Sequence, residues 1–261
     1  QVPFSIQVFS GETLQAIPAA TVDGALRSLP GFSLFRRSDS LTANPTAQGV
    51  SLRGLGPSGA SRSLIVLDGA PLNDPFGGWV AWTLVPRDSL ARAELVRGGG
   101  ATAWGNAALG GVVQLVTARP DAGASGHLSA LAGDFSTRSA ELSAAFPVGR
   151  GSVQLSGRAF STDGFSLVAP ERRGPIDVDA ASRHSWGQAR WRQPLGENLE
   201  LSLTARTFSE RRNNGTPYQR NASQASFGSI ALAGQPEKNF AWTAVAYAQD
   251  QGFSTTFSSV N

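Results

Sequence analysis

Beyond residue 120, apolar and polar positions alternate with a period of two. Leu199, Leu201, Leu203 and Ala205 take turns with Glu200, Ser202, Thr204 and Arg206. Val153, Leu155, Gly157 and Ala159 alternate with Gln154, Ser156, Arg158 and Phe160. Ala140, Leu142, Ala144 and Phe146 do the same with Ser139, Glu141, Ser143 and Ala145. Successive side chains of a strand point to opposite faces, so each run predicts a strand with one apolar and one polar face. Seven segments fit this description: 126–133, 136–146, 151–162, 183–193, 198–210, 223–234 and 238–251. They exceed the roughly 5–6 residues of an ordinary strand and approach the roughly 9–11 that a tilted strand needs to cross a bilayer.

The joints carry a second pattern. Tight ones at Gly133-Asp134, Pro147–Arg150, Pro194–Asn198 and Gly234–Lys238 are interleaved with polar loops at 163–182 and 211–222. Membrane barrels connect their strands this way, with short turns on one side and long loops on the other. Phe146, Trp191, Phe240 and Trp242 stand near the tight joints, where an interfacial aromatic girdle belongs. A soluble antiparallel sheet also alternates and stays the competing reading. The small apolar residues of the outward face lack the bulk that fills a sandwich core, which favours a membrane wall.

Before Arg119-Pro120 the elements are shorter and mixed. Val2 to Phe9, Phe32 to Phe35, Val50 to Arg53, Leu64 to Leu67, Ala93 to Val96 and Val112 to Val116 predict strands. Thr21 to Ser28 predicts a short helix, stopped by Leu29-Pro30-Gly31 because proline disfavours helix in the residue before it. Asp68-Gly69 is a turn signal, and Pro86 with Asp88 suggests one helical turn. Long loops remain at 36–49 and 70–85. A small α+β domain over residues 1–120, followed by strands over 121–261, is the expected organisation.

Composition narrows the class. Charged residues make up 16% of the 261 residues and hydrophobic ones 41%, without any long apolar run. A helical membrane protein is thereby excluded. The chain has neither cysteine nor methionine, so thiolate metal centres are out, and the sequence reads as processed or as part of something longer. No secretory leader is visible at Gln1 to Ser10. Residues 1–120 carry 9 basic and 7 acidic groups, and 121–261 carry 13 and 12. Neither half has the basic surplus of a nucleic-acid binder.

The stretch VRGGGATAWGNAALGGVVQLVT, residues 96–117, invites a nucleotide-binding reading and does not support it. A phosphate loop needs G-x-x-x-x-G-K-[ST], and the only lysine of the chain is Lys238. A dinucleotide fingerprint needs G-x-G-x-x-G within a βαβ unit, which is absent here. His127 and His184 are the only histidines, and both follow residue 120, so a Ser-His-Asp constellation is unsupported and no enzymatic role is expected.

The order LRSLPGF (26–32), SLRGLG (51–56), LIVLDGAPLN (64–73) and ARAELVRGGGATAWGNAALGGVVQLVT (91–117) resembles the plug domain of TonB-dependent outer-membrane receptors. The match covers nearly all of residues 1–120, at ordinary spacing. Gly99 stands where the family has proline, Trp104 where it has tyrosine, and Gln114 where it has asparagine. The resemblance implies an α+β plug followed by antiparallel transmembrane strands, here the N-terminal part of a 22-stranded barrel left incomplete. It implies a receptor in the outer membrane of a Gram-negative bacterium. Such a receptor takes up a scarce nutrient through TonB-driven rearrangement of the plug, iron–siderophore first and cobalamin second. No TonB box is recognisable, since Gln1 to Phe9 already reads as the first plug strand. A soluble or surface β-rich binding protein without transport activity is the alternative.

The resemblance also assigns residues. Arg53 and Arg97 match plug arginines that latch onto glutamates of the barrel wall. Loops 36–49 and 70–82 match the outward apices where ligands dock. They supply Arg36, Arg37, Asn44, Gln48, Asn73, Asp74, Phe76, Trp79 and Trp82 as candidate contacts for a bulky chelate or cofactor. Asp177 and Asp179, two apart in loop 163–182, match the place where cobalamin-type receptors hold calcium, although two carboxylates are too few to define a site of 6–8 oxygens. Expected partners are TonB, a small-molecule ligand and outer-membrane lipid.

Overall fold

The computed structural model describes residues 5–36, 38–52, 61–98, 104–119 and 123–257. The chain divides into two compact units, Gln1–Arg119 and Pro120–Asn261.

The first unit is built from strand β1 (Ser5–Ser10), helices α1 (Gly11–Ala16) and α2 (Val22–Arg27), then β2 (Phe32–Leu34), β3 (Val50–Leu52), β4 (Ser63–Leu67), β5 (Ala70–Pro71), β6 (Leu90–Arg97) and β7 (Gly111–Thr117). One sheet has the order β1-β6-β7-β4-β5, and β2 with β3 forms a separate two-stranded ribbon. Within the sheet β4 and β7 run parallel and the other neighbours antiparallel. Leu14 of α1 and Val22, Ala25 and Leu26 of α2 pack with Ile65, Leu67, Leu95, Val113 and Leu115 of the sheet. Each fully buried leucine or isoleucine contributes about 1.5–3 kcal/mol. On the other side Leu64, Val66, Ala108 and Val112 form a second small core.

Helix α1 was not legible as a helix. Its start is fixed by Ser10, whose side chain accepts from the Thr13 amide at 3.2 Å. Its end is fixed from far along the chain. The Arg87 guanidinium donates to the carbonyls of Leu14 at 2.8 Å, Gln15 at 3.2 Å and Ile17 at 2.6 Å, and also to that of Ala19. One charged fork thus satisfies acceptors that a helix terminus leaves open. The Asp68-Gly69 turn is present, with both residues at positive φ, 49° and 87°. Such a two-residue turn matches the twist of the hairpin it closes. The Asp68 carboxylate accepts from the Thr117 amide at 2.9 Å, tying the turn to β7.

The second unit is a single seven-stranded antiparallel meander. Its strands are β8 (Ser125–Gly133), β9 (Thr137–Val148), β10 (Gly151–Thr162), β11 (Ser182–Pro194), β12 (Leu199–Asn213), β13 (Arg220–Glu237) and β14 (Phe240–Thr255). All seven expected segments are strands, and several run further than the alternation suggested. The second long loop therefore shrinks to residues 214–219.

Polarity on this sheet is inverted relative to a soluble protein. Phe146, Val153, Trp191, Leu203, Ile230 and Ala246 are register partners in one row across six strands. Phe146, Leu203 and Ile230 of that row are exposed. The next row, one residue along each strand, is Ala145, Gln154, Arg190, Thr204, Ser229 and Tyr247. Gln154, Arg190 and Thr204 of it are buried. Apolar residues face out and polar residues face in, as in a barrel whose solvent outside is hydrocarbon. Phe146, Phe240 and Trp242 are exposed near the short turns, at the level of an aromatic girdle.

Candidate functional site

The candidate docking surface lies on the loops between β2 and β3 and between β5 and β6. Their shape is set by short side chains bonding nearby backbone. The Asp39 carboxylate accepts from the amides of Leu41 at 2.9 Å and Thr42 at 3.1 Å. The Asn44 side-chain oxygen accepts from the Thr46 amide at 3.1 Å and its hydroxyl at 3.0 Å, starting a helical turn at Pro45–Ala47.

The second loop folds into a narrow finger over residues 73–80, closed by a bridge between Asn73 and Val80. The Asn73 side chain accepts from the Ile65 amide at 2.7 Å and donates to the carbonyls of Ser63 at 3.1 Å and Gly78 at 3.2 Å. It anchors the finger to β4. The Asp74 carboxylate accepts from the amides of Phe76 at 3.0 Å and Gly77 at 2.7 Å, bending the tip. Phe76 at that tip is 96% exposed. Trp79 is half-buried and lies across Gly77, where a Cβ would overlap its ring.

Several expected ligand contacts are corrected by these positions. Arg36 is buried, bonded at 2.6 Å to Asp23 and at 2.7 Å to Ser40, and also donates to the Ser38 carbonyl. Gln48 is 1% exposed and donates to the carbonyls of Ser40 at 3.3 Å and Ala43 at 3.2 Å. Its own carbonyl accepts from the Val80 amide at 3.3 Å, joining the two loops. Trp82 is 1% exposed and meets Phe32 edge-on, with ring centroids 6.1 Å apart. These three residues hold the loops in place and are not presented to a ligand. Asn44, Asn73 and Asp74 likewise spend their side chains on the loop backbone. Arg37 lies outside the described residues. Phe76 and Trp79 are the expected contacts that the finger displays.

Of the two latch arginines, Arg53 lies outside the described residues. Arg97 reaches across the Leu29-Pro30-Gly31 turn, donating to the Ser5 hydroxyl at 3.3 Å and approaching the Pro30 carbonyl at 3.5 Å. Gly31 has φ +83°, and a Cβ there would overlap the Arg97 guanidinium. Asp177 is occupied locally, accepting from the Gly174 amide at 2.7 Å. No three acidic or imidazole groups gather into a metal-binding cluster among the described residues. Asp177 and Asp179 by themselves supply fewer than the 6–8 oxygens that calcium takes.

The inward face of the second unit carries charges that the alternation placed but did not connect. Arg158 and Glu141 approach to 3.9 Å on neighbouring strands. Arg190 donates to the Thr204 hydroxyl at 3.0 Å, and Arg212 pairs with Glu210 at 2.6 Å. Arg206 stands 4.6 Å over the Phe227 ring, and Phe160 stacks on His184 at 4.7 Å. Step-two parity along each strand was the signal that puts these groups on one wall. Their pairing needed the register.

Residues 1–112 match the family model described as the TonB-dependent receptor plug domain. The first unit belongs to this plug family. Over 124 residues the chain is 33% identical to the ferric enterobactin receptor of Pseudomonas aeruginosa, covering 43% of this chain and 16% of that receptor. It is 26% identical over 172 residues to a vitamin B12 transporter of Vibrio vulnificus, covering 66% of this chain and 27% of the transporter. In fold it is similar to the solved ferric yersiniabactin uptake receptor FyuA of Yersinia pestis, with TM-score 0.74 at 19% identity over 98% of this chain and 42% of that one. The siderophore receptor PirA of Pseudomonas aeruginosa gives TM-score 0.71 at 20% identity, over 98% and 42%. The plug and the meander that follows it therefore have the fold of TonB-dependent receptors, and the chain spans less than half the length of these solved relatives.

Proposed function

We propose that this chain forms the plug and first barrel strands of an outer-membrane receptor that binds a ferric siderophore and passes it to the periplasm. Uptake is coupled to TonB, which rearranges the plug, and no covalent chemistry is done on the ligand. The inverted polarity of the seven-stranded sheet, directly after a plug-family unit, carries this reading. An apolar exposed wall with a buried arginine-lined face suits a strand set between lipid and a wet passage. The exposed Phe76 and the half-buried Trp79 suit a bulky aromatic chelate.

Cobalamin is the second reading, favoured by the longer alignment with the vitamin B12 transporter. A deletion strain grown on defined ferric siderophores and on cobalamin tests the choice. The expected result is a growth defect under iron restriction, restored by the intact gene. A defect confined to cobalamin-dependent growth overturns the iron reading. A protein found free of the outer-membrane fraction overturns the receptor reading altogether.

A further inference from the structure

The apolar face of the seven-stranded sheet ends, toward the long loops, in a row of arginines. Arg138, Ser161, Arg183, Arg211, Ala222 and Ser254 are register partners across six strands. Arg220, opposite Asn213, stands one step further along the same face. Arg138, Arg183, Arg211 and Arg220 are all exposed. None of the four makes an ion pair among the described residues. Arg220 spends its Nε on the Pro217 carbonyl at 2.8 Å and keeps the rest of its fork. Arg183 and Arg211 are directly opposite, an arrangement that like charges disfavour. The strand carboxylates Glu141 and Glu210 are buried on the other face, and Asp250, on the same face as the arginines, stands two steps from Ser254 toward the short turns.

The surroundings name the missing anion. A groove of about 610 Å³ opens between Arg183, Arg211, Asn213, Arg220, Ser254 and Thr256. Toward the short turns the same face passes through Ser185, Ser209, Gln224 and Gly252, then Gly187, Thr207, Ser226 and Asp250. It then becomes hydrocarbon at Ala189 and Ala205, and at Trp191, Leu203 and Ile230. Cations, hydroxyls and hydrocarbon thus follow in the order of a lipid's phosphate, polar linkage and acyl chains. A free anion would use only the first of these layers.

We propose that this wall is a binding site for a phosphorylated lipid of the leaflet on the long-loop side. Arg183, Arg211 and Arg220 hold its phosphate through forked hydrogen bonds. The serine and threonine rows meet the sugar or ester oxygens, and the acyl chains lie along Ala189, Ala205 and Ile230. The bound anion also relieves the repulsion between Arg183 and Arg211. The proposal rests on the reading that this face meets the membrane.

The test uses the full-length protein in neutral detergent, with diphosphorylated lipid A, its dephosphorylated form and inorganic phosphate as probes, read by native mass spectrometry. The expected result is retention of diphosphorylated lipid A by the wild type, with the dephosphorylated form held at least about tenfold more weakly. R183S/R211S/R220S loses at least about tenfold, and R183K/R211K/R220K keeps most of the binding. Excess inorganic phosphate does not displace the lipid. Equal binding of the two lipids, or undiminished binding by the serine variant, overturns the site. Displacement by inorganic phosphate overturns the lipid in favour of a free anion. Heat-modifiable migration of the wild type separates the two levels: its absence removes the membrane-wall reading, whereas its presence without lipid selectivity removes the lipid site alone.

Discussion

Arg36 and Asp23 meet at 2.6 Å inside the plug, both side chains almost wholly removed from solvent. Ser40 bridges them, bonding the Arg36 guanidinium at 2.7 Å and the same Asp23 oxygen. The pair ties α2 to the loop that leads to Gln48. Asp23→Asn leaves the arginine charge buried without its partner, which costs about 3–5 kcal/mol. Hydrogen exchange in the intact protein should show α2 and residues 38–48 opening together. Unchanged protection of these amides would remove the pair from its structural role.

Phe76 and Trp82 belong to one loop and stand at opposite extremes of burial. Phe76 is 96% exposed and Trp82 1% exposed. Phe76→Ala removes nothing from the core, so stability should move by no more than about 0.5 kcal/mol. If the finger docks the chelate, the same change should weaken binding by about tenfold or more, as loss of an aromatic anchor does. Trp82→Ala should cost about 3–5 kcal/mol. Denaturant unfolding and equilibrium chelate binding, measured side by side, check both statements. A Phe76→Ala variant that binds like wild type would move the site off the finger.

How much was legible depended on the distance over which each residue is satisfied. Strands such as Leu199 to Ala205 declare themselves, because alternation is local and the solvent on each face selects the side chain. Asp68-Gly69 is equally local, since the turn geometry selects its residues. Helix α1 was hidden because the groups that satisfy its last carbonyls come from Arg87, some seventy residues later. Arg36 and Gln48 read as surface residues because nothing nearby in the chain announces Asp23 or the carbonyls of Ser40 and Ala43 as their partners. Phe76, Trp79 and Trp82 share one loop, and only the finger's fold separates the displayed pair from the buried Trp82.

Arg87 gives a direct test of long-range capping. Arg87→Met keeps the apolar stem and removes the donors to Leu14, Gln15 and Ile17. Hydrogen bonds to a charged group contribute about 1.5–3 kcal/mol each, partly recovered by water at this half-exposed site. The expected outcome is faster exchange of α1 amides while those of β4 and β7 stay protected. Uniform loss of protection across the unit would mean that Arg87 holds the whole sheet and not the helix end.

Gly31 and Arg97 are coupled. The positive φ of Gly31, +83°, and the guanidinium lying over it are separate obstacles to a side chain. Gly31→Ala should cost about 1–2 kcal/mol from the left-handed backbone alone, with a further loss from displacing Arg97. Adding Arg97→Ala should return the second part and leave the first. Additive effects in the double mutant would show that the arginine does not press on this turn.

The two faces of the meander predict opposite responses to one substitution. Ala205 lies on the apolar exposed face, in register with Ala189 and Gly228. Ala225 lies on the inward face, opposite Phe208 and one step from the Glu210 position. An arginine facing lipid near the midplane costs about 2–4 kcal/mol. Ala205→Arg should therefore slow or abolish heat-modifiable folding of the full-length protein. Ala225→Arg adds a charge to a wall that already carries Arg190, Arg206 and Arg212, and should fold near normally. If this sheet packed as a soluble sandwich, its exposed face would meet water and tolerate the first change. The second would then be the damaging one, so the pair of variants discriminates the two architectures by sign as well as by magnitude.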